Sequence, residues 1–164
     1  MPALQISRKM DYALRALTYL AGRNGAHGCT LNDIAAHTAV SSQFLAKIIE
    51  QLAQRGLVRS RRGPRGGYAL ARHPAEVSVN DVIEAIEGPV TLNACTGGEV
   101  DCALFPACGM TSLWQEAQKR LVEVFSQTTL ADVQMGLSRA GNGLSIADSS
   151  ARLMMGKATN KGFL

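Results

Sequence analysis

No run of apolar residues in this 164-residue chain approaches the length needed to cross a bilayer, so no membrane-spanning segment is expected. A signal-peptide core is missing too, because Arg8 and Lys9 are followed by Asp11 and Arg15 instead of an apolar stretch. The sequence carries no internal repeat, no dinucleotide-binding fingerprint, and no general acid and base in a shared motif, which argues against an enzyme. Histidine is scarce, and His27, His37 and His73 all precede the cysteine-rich segment, leaving it without imidazole. Acid is wholly absent between Gln51 and Ala75, where Arg55, Arg59, Arg61, Arg62, Arg65 and Arg72 fall. These absences together lead to the expectation of a cytoplasmic, non-membrane protein with one concentrated basic surface.

What is present supports a folded body. Apolar residues make up 46% of the chain, enough for a core, and the length suits one domain plus an appendage. Net charge is only +4, so the arginine-rich segment says more about partners than the total does. Ser7 can cap a helix from Arg8 to about Ala21, with Leu14, Leu17 and Ala21 as one apolar stripe beside Ala13, Ala16 and Leu20. Thr30 begins a short second helix, and Ser41 or Ser42 caps a third that carries Phe44, Leu45, Ile48, Ile49 and Leu52 and stops at Gly56. That spacing is a helix-turn-helix. Strands over 57–60 and 68–71, joined by Gly63-Pro64-Arg65-Gly66-Gly67, supply its wing. Ser78 or Asn80 caps a further helix that closes at Gly88-Pro89.

The expected fold is therefore mainly α with a small β-hairpin wing: a winged helix-turn-helix plus a long dimerisation helix. Residues 1–90 form the winged helix-turn-helix DNA-binding domain, 91–111 a cysteine-bearing loop, 112–137 the dimerisation helix and a short helix, and 138–164 a flexible tail. Leu113, Ala117, Leu121 and Val124 recur at helical spacing, and such a stripe on a helix outside the main domain calls for a second copy.

Chemistry concentrates in two places. Ser41, Ser42, Gln43 and Lys47 put short polar and cationic groups at the start of the third helix, suited to base edges and phosphate in double-stranded operator DNA. One of Phe44 and Leu45 belongs to the core while the other is free to touch a thymine methyl, and Phe44 is assigned to the core. Arg59, Arg61, Arg62 and Arg65 on the wing suit phosphates or a narrow minor groove. The second place is Cys95, Cys102 and Cys108, spaced C-x6-C-x5-C among Gly97, Gly98, Glu99 and Asp101. Thiolates favour iron, zinc or copper. A loose loop suits an iron-sulfur cluster better than a compact zinc site. A cluster-free repressor sensing oxidants through the same thiols is the alternative. Cys29 stands apart and reads as buried.

Arg62-Gly63-Pro64-Arg65-Gly66-Gly67-Tyr68, Lys9-Met10-Asp11-Tyr12-Ala13-Leu14-Arg15, the cysteine trio and Ser112-Leu113-Trp114 together resemble the bacterial regulators of the IscR, NsrR and RirA family, over about residues 4–135. The resemblance implies a homodimeric winged-helix transcription factor. Many members carry an iron-sulfur cluster on the trio and govern cluster assembly, iron or nitric-oxide stress genes. The IscR-like members place a histidine where this chain has Thr111, whereas the NsrR-like members use an aspartate on the first helix of the other subunit, the position of Asp11 here. That match makes Asp11 the implied fourth ligand beside Cys95, Cys102 and Cys108, and [4Fe-4S] the implied cofactor ahead of [2Fe-2S].

Overall fold

Each helix of the amino-terminal half starts at a short polar side chain that satisfies the otherwise unpaired amides of a first turn. In the computed structural model, which describes residues 6–23, 28–63, 66–97, 102–105 and 107–136 together with the backbone of 137–140, Ser7 caps α1 (Arg8–Gly22) by accepting from the amide of Met10. Thr30 caps α2 (Leu31–Thr38) in a reciprocal box with Asp33, and Ser41 caps α3 (Ser42–Gln54) through the amide of Phe44. Ser78 and Asp81 form a second box at the start of α4 (Val79–Ile86). The helix-turn-helix turn passes through Ala39, whose left-handed φ of 55° is unusual for a residue with a Cβ. It is held by the Val40 amide donating to Ala35.

The core forms where these helices meet. Met10, Ala13, Ala16, Leu17 and Leu20 face inward from α1, and Leu45, Ile48, Ile49 and Leu52 from α3, at the i, i+3, i+4, i+7 spacing of one helical face. Val82, Ile83 and Ile86 complete it from α4. Each fully buried aliphatic side chain contributes about 1.5–3 kcal/mol of transfer free energy. Leu14, placed on the expected α1 stripe, is only half-buried, because the inward face is centred on Ala13 and Leu17.

The wing is a two-stranded antiparallel hairpin, β1 (Val58–Arg61) and β2 (Gly67–Leu70), in register Val58 opposite Leu70 and Arg61 opposite Gly67. Both strands lie one residue off the expected bounds at each end. A third segment, unforeseen in the sequence, pairs with it: the Cys29 amide donates to Tyr68 at 2.9 Å and the Tyr68 amide returns to Cys29 at 2.8 Å. Gly67, at φ 135°, makes this approach possible, since a Cβ there would stand 2.5 Å from the Cys29 carbonyl oxygen.

Beyond α4 the chain turns at Gly88 (φ 89°) and reaches α5 (Met110–Gln127) and α6 (Leu130–Ala140). The α5–α6 junction is bound to the start of α4. Val79 donates to Thr128 at 2.8 Å and Leu130, fully buried, donates to Val77 at 2.9 Å. Thr129 caps α6 by exchanging bonds with Asp132, and the helix runs to Ala140, past the expected bound at residue 137. By compactness the chain divides into residues 1–134 and 135–164, and the second part is described only over 135–140. The expected flexible tail, 138–164, thus lies almost entirely outside the described residues. Among the described residues no helix is long and apolar enough to cross a membrane.

Candidate nucleic-acid interface and cysteine loop

The first turn of α3 contains no acidic residue, so its positive helix end is unopposed. Ser41 is committed to the cap, and the Ser42 hydroxyl donates to Asn32 of α2 at 3.2 Å, which ties the two helices of the motif together. Gln43 and Lys47 are exposed and, among the described residues, make no side-chain hydrogen bond or ion pair. Their donors are open to a ligand.

Phe44 corrects an expectation. Leu45 is fully buried, whereas Phe44 is 41% exposed and meets the ring of Tyr12 edge-on, centroids 6.0 Å apart. The inward face of α3 runs through Leu45, Ile48, Ile49 and Leu52. One residue earlier, about 100° around the helix, lies the shoulder of that face.

Arg59, Arg61 and Arg62 are exposed on the hairpin, and Arg65 lies outside the described residues. The turn is tight: Gly66 donates to Gly63 at 2.8 Å, and a Cβ on Gly66 would fall 2.3 Å from the Arg61 carbonyl oxygen. Arg72, part of the same basic run, is engaged internally. It pairs with Asp81 at 3.3 Å and donates to the Glu76 carbonyl, fastening the wing's exit to the cap of α4.

In the cysteine segment Cys95 sits half-buried in a single 3-10 turn, Ala94–Thr96. Gln118 of α5 clamps that turn from both sides, accepting from the Leu92 amide at 3.0 Å and donating to the Thr96 carbonyl at 3.4 Å. Cys108, also half-buried, accepts from the Thr111 amide as α5 begins, and Cys102 is exposed between them. All three are free thiols. Asp11 lies on α1 in an ion pair with Arg15 at 2.8 Å. Three thiols and a carboxylate suit iron chemically. Among the described residues, however, no three of His, Cys, Asp and Glu converge on a point that a metal could share. The described donors of one chain are therefore not gathered into a preassembled cluster site.

Cys29 is buried, as expected, and burial pushes its thiol above the ordinary range, with nearby Arg23 opposing and Asp33 adding to the shift. His37 stacks on Tyr19 at 4.4 Å and His73 caps the amide of Ala75, so both have structural work away from the loop. His27 lies outside the described residues. Gln51 and Gln118 escaped the sequence reading. A lone glutamine beside an apolar stripe gives no signal of the carbonyl it will meet.

α5 has no buried residue. Leu113 is 53% and Val124 49% exposed, with Ala117 and Leu121 half-buried and Phe125 against the core. Leu104, Phe105 and Met110 extend the exposed apolar surface just before and into the helix.

A family model described as "Rrf2: Iron-dependent Transcriptional regulator" matches residues 6–135. The chain is 32% identical over 133 residues to the HTH-type transcriptional regulator NsrR of Bacillus licheniformis, covering 80% of this chain and 93% of the relative. Among solved structures it is similar to CymR, the global cysteine regulator of B. subtilis, with TM-score 0.69 and 30% identity over 80% of this chain and 97% of that one. It is equally similar to the T. potens IscR, with TM-score 0.68 and 31% identity over 87% and 93%.

Proposed function

The chain belongs to the Rrf2 family of DNA-binding transcriptional regulators, and on that premise we propose a homodimer that changes its grip on operator DNA when the thiols of its cysteine loop react. Ser41, Ser42, Gln43 and Lys47 enter the major groove, with the exposed ring of Phe44 available to a thymine methyl. Arg59, Arg61, Arg62 and Arg65 hold phosphate or reach the minor groove, which makes the affinity steeply salt-dependent. The α5 helices of two copies cover each other's Leu113, Ala117, Leu121 and Val124 and hold the two readers about 34 Å apart, one turn of duplex.

The observation that carries the sensing half is the arrangement of Cys95, Cys102 and Cys108 as free thiols that are not gathered around a common point. A peroxide oxidises one thiolate to a sulfenate and leaves as the alcohol or water. A second thiol then condenses with the sulfenic acid, releasing water and forming a disulfide; two electrons pass to the peroxide in all. The loop begins at the end of α4 and ends in α5, so closing it stresses both. This becomes a switch only because the two states bind DNA differently, and a tenfold difference is about 1.4 kcal/mol.

The description of the family as iron-dependent and the likeness to IscR favour a second reading, a [4Fe-4S] or [2Fe-2S] cluster on Cys95, Cys102 and Cys108 with Asp11 of the partner subunit. Anaerobic purification separates the two. A colourless protein without iron or sulfide, whose operator affinity moves with peroxide and returns with dithiothreitol, supports the thiol switch. Stoichiometric iron and sulfide lost on trio substitution would establish the cluster instead.

A further inference from the structure

A helix ends with carbonyls that have no partner within it. At the end of α4 two of them are met by one side chain from the recognition helix: Gln51 Nε2 donates to the Ala85 carbonyl at 2.8 Å and to the Ile86 carbonyl at 3.2 Å. Glu87, the next residue, also receives the Ser7 hydroxyl of α1. The chain then turns at Gly88 and enters the cysteine segment, whose start is gripped by Gln118 at Leu92 and Thr96 on either side of Cys95. The chain itself thus leads from Cys95 back to the end of α4, where Gln51 takes the connection across to α3 and the exposed Gln43 and Lys47. Apolar contacts between α3 and α4 can slide with little loss, but a hydrogen bond weakens steeply with distance and angle.

We propose that Gln51 is the positioning residue that couples the cysteine loop to the recognition helix, so that displacing the end of α4 re-aims α3 on the operator. The proposal rests on the sensing reading given above. Gln51 fixes where α3 sits relative to α4, and the loop fixes where α4 ends.

The decisive experiment is a double-mutant cycle on operator affinity in the reduced, full-length protein, which needs no assumption about loop chemistry. Gln118→Met releases the clamp on the loop, and Gln51→Met keeps side-chain length while removing both donors. Releasing the clamp is expected to change operator affinity in the wild-type background, and the change should shrink by about threefold or more when Gln51 is already Met. Gln51→Arg, which restores donors, should restore the effect. Additive changes, or no effect of Gln118→Met in either background, would overturn the proposal. Gln51→Glu, of similar length but presenting oxygens in place of the donor, replaces Gln51→Met if that variant does not fold. The oxidised-to-reduced affinity ratio of the wild type is measured alongside. A ratio of one with a non-additive cycle removes the sensing reading and leaves the Gln51 coupling standing; a large ratio that Gln51→Met leaves intact removes the coupling alone.

Discussion

Among the four cysteines, exposure and burial sort chemical behaviour. Cys102 is exposed, Cys95 and Cys108 half-buried, and Cys29 buried with its thiol pushed upward by desolvation. Brief alkylation of the native, reduced protein should label Cys102 first and Cys29 last, read by peptide mass spectrometry; early labelling of Cys29 would show that the wing opens away from α1. Because the folded thiol of Cys29 titrates above its unfolded value, its contribution to stability is complete below the unfolded value and is lost as pH rises through the higher folded one. Urea unfolding at about pH 7 and pH 10 should show a larger loss in the wild type than in Cys29→Ala. At the reader, Gln43→Ala should cost about 1–3 kcal/mol on the preferred duplex and flatten discrimination between duplexes. Arg61→Ala should weaken all duplexes alike and reduce the salt slope by about one. Equal loss across all duplexes for Gln43→Ala would remove it from base reading.

Elements built on capping and periodicity were legible in the sequence. Ser7, Thr30, Ser41 and Ser78 each mark a helix start that the structure uses, and the glycine-bounded hairpin lies within a residue of its expected place. What stayed hidden depends on which elements meet. Phe44 and Leu45 are both apolar, and what separates them is that Leu45 falls in line with Ile48, Ile49 and Leu52 on the inward face of α3 while Phe44 lies on its shoulder. The pairing of Cys29 with Tyr68 joins segments far apart in sequence and leaves no local pattern. The thiol trio was visible by spacing, but spacing does not say whether its members converge. Two predictions belong here. Gly66→Ala should disorder the wing and weaken DNA binding, since its Cβ meets the Arg61 carbonyl oxygen at 2.3 Å; unchanged affinity would show that the turn relaxes freely. Leu113→Glu, at the most exposed aliphatic position of α5, should yield folded monomers in sedimentation by placing a charge in an apolar seam. An intact dimer at micromolar concentration would place the interface elsewhere.

Across the whole molecule, a basic reader and a thiol-bearing loop are joined through α4 and α5, each of which contacts its neighbour by directional bonds as well as apolar packing. A regulator of this design needs two loop states that differ in their affinity for DNA, and tight binding alone gives no regulation. The most direct measurement is operator affinity, by fluorescence anisotropy, on a duplex selected from a random pool by the reduced dimer. Protein is titrated reduced, after peroxide, and after dithiothreitol, for the wild type and for Cys95→Ser, Cys102→Ser and Cys108→Ser. The account predicts a reversible change of about tenfold or more in the wild type, abolished in at least two of the three variants, with Cys29→Ser responding as the wild type does. An affinity that is the same in every state, or a full response retained by all three loop variants, would contradict it.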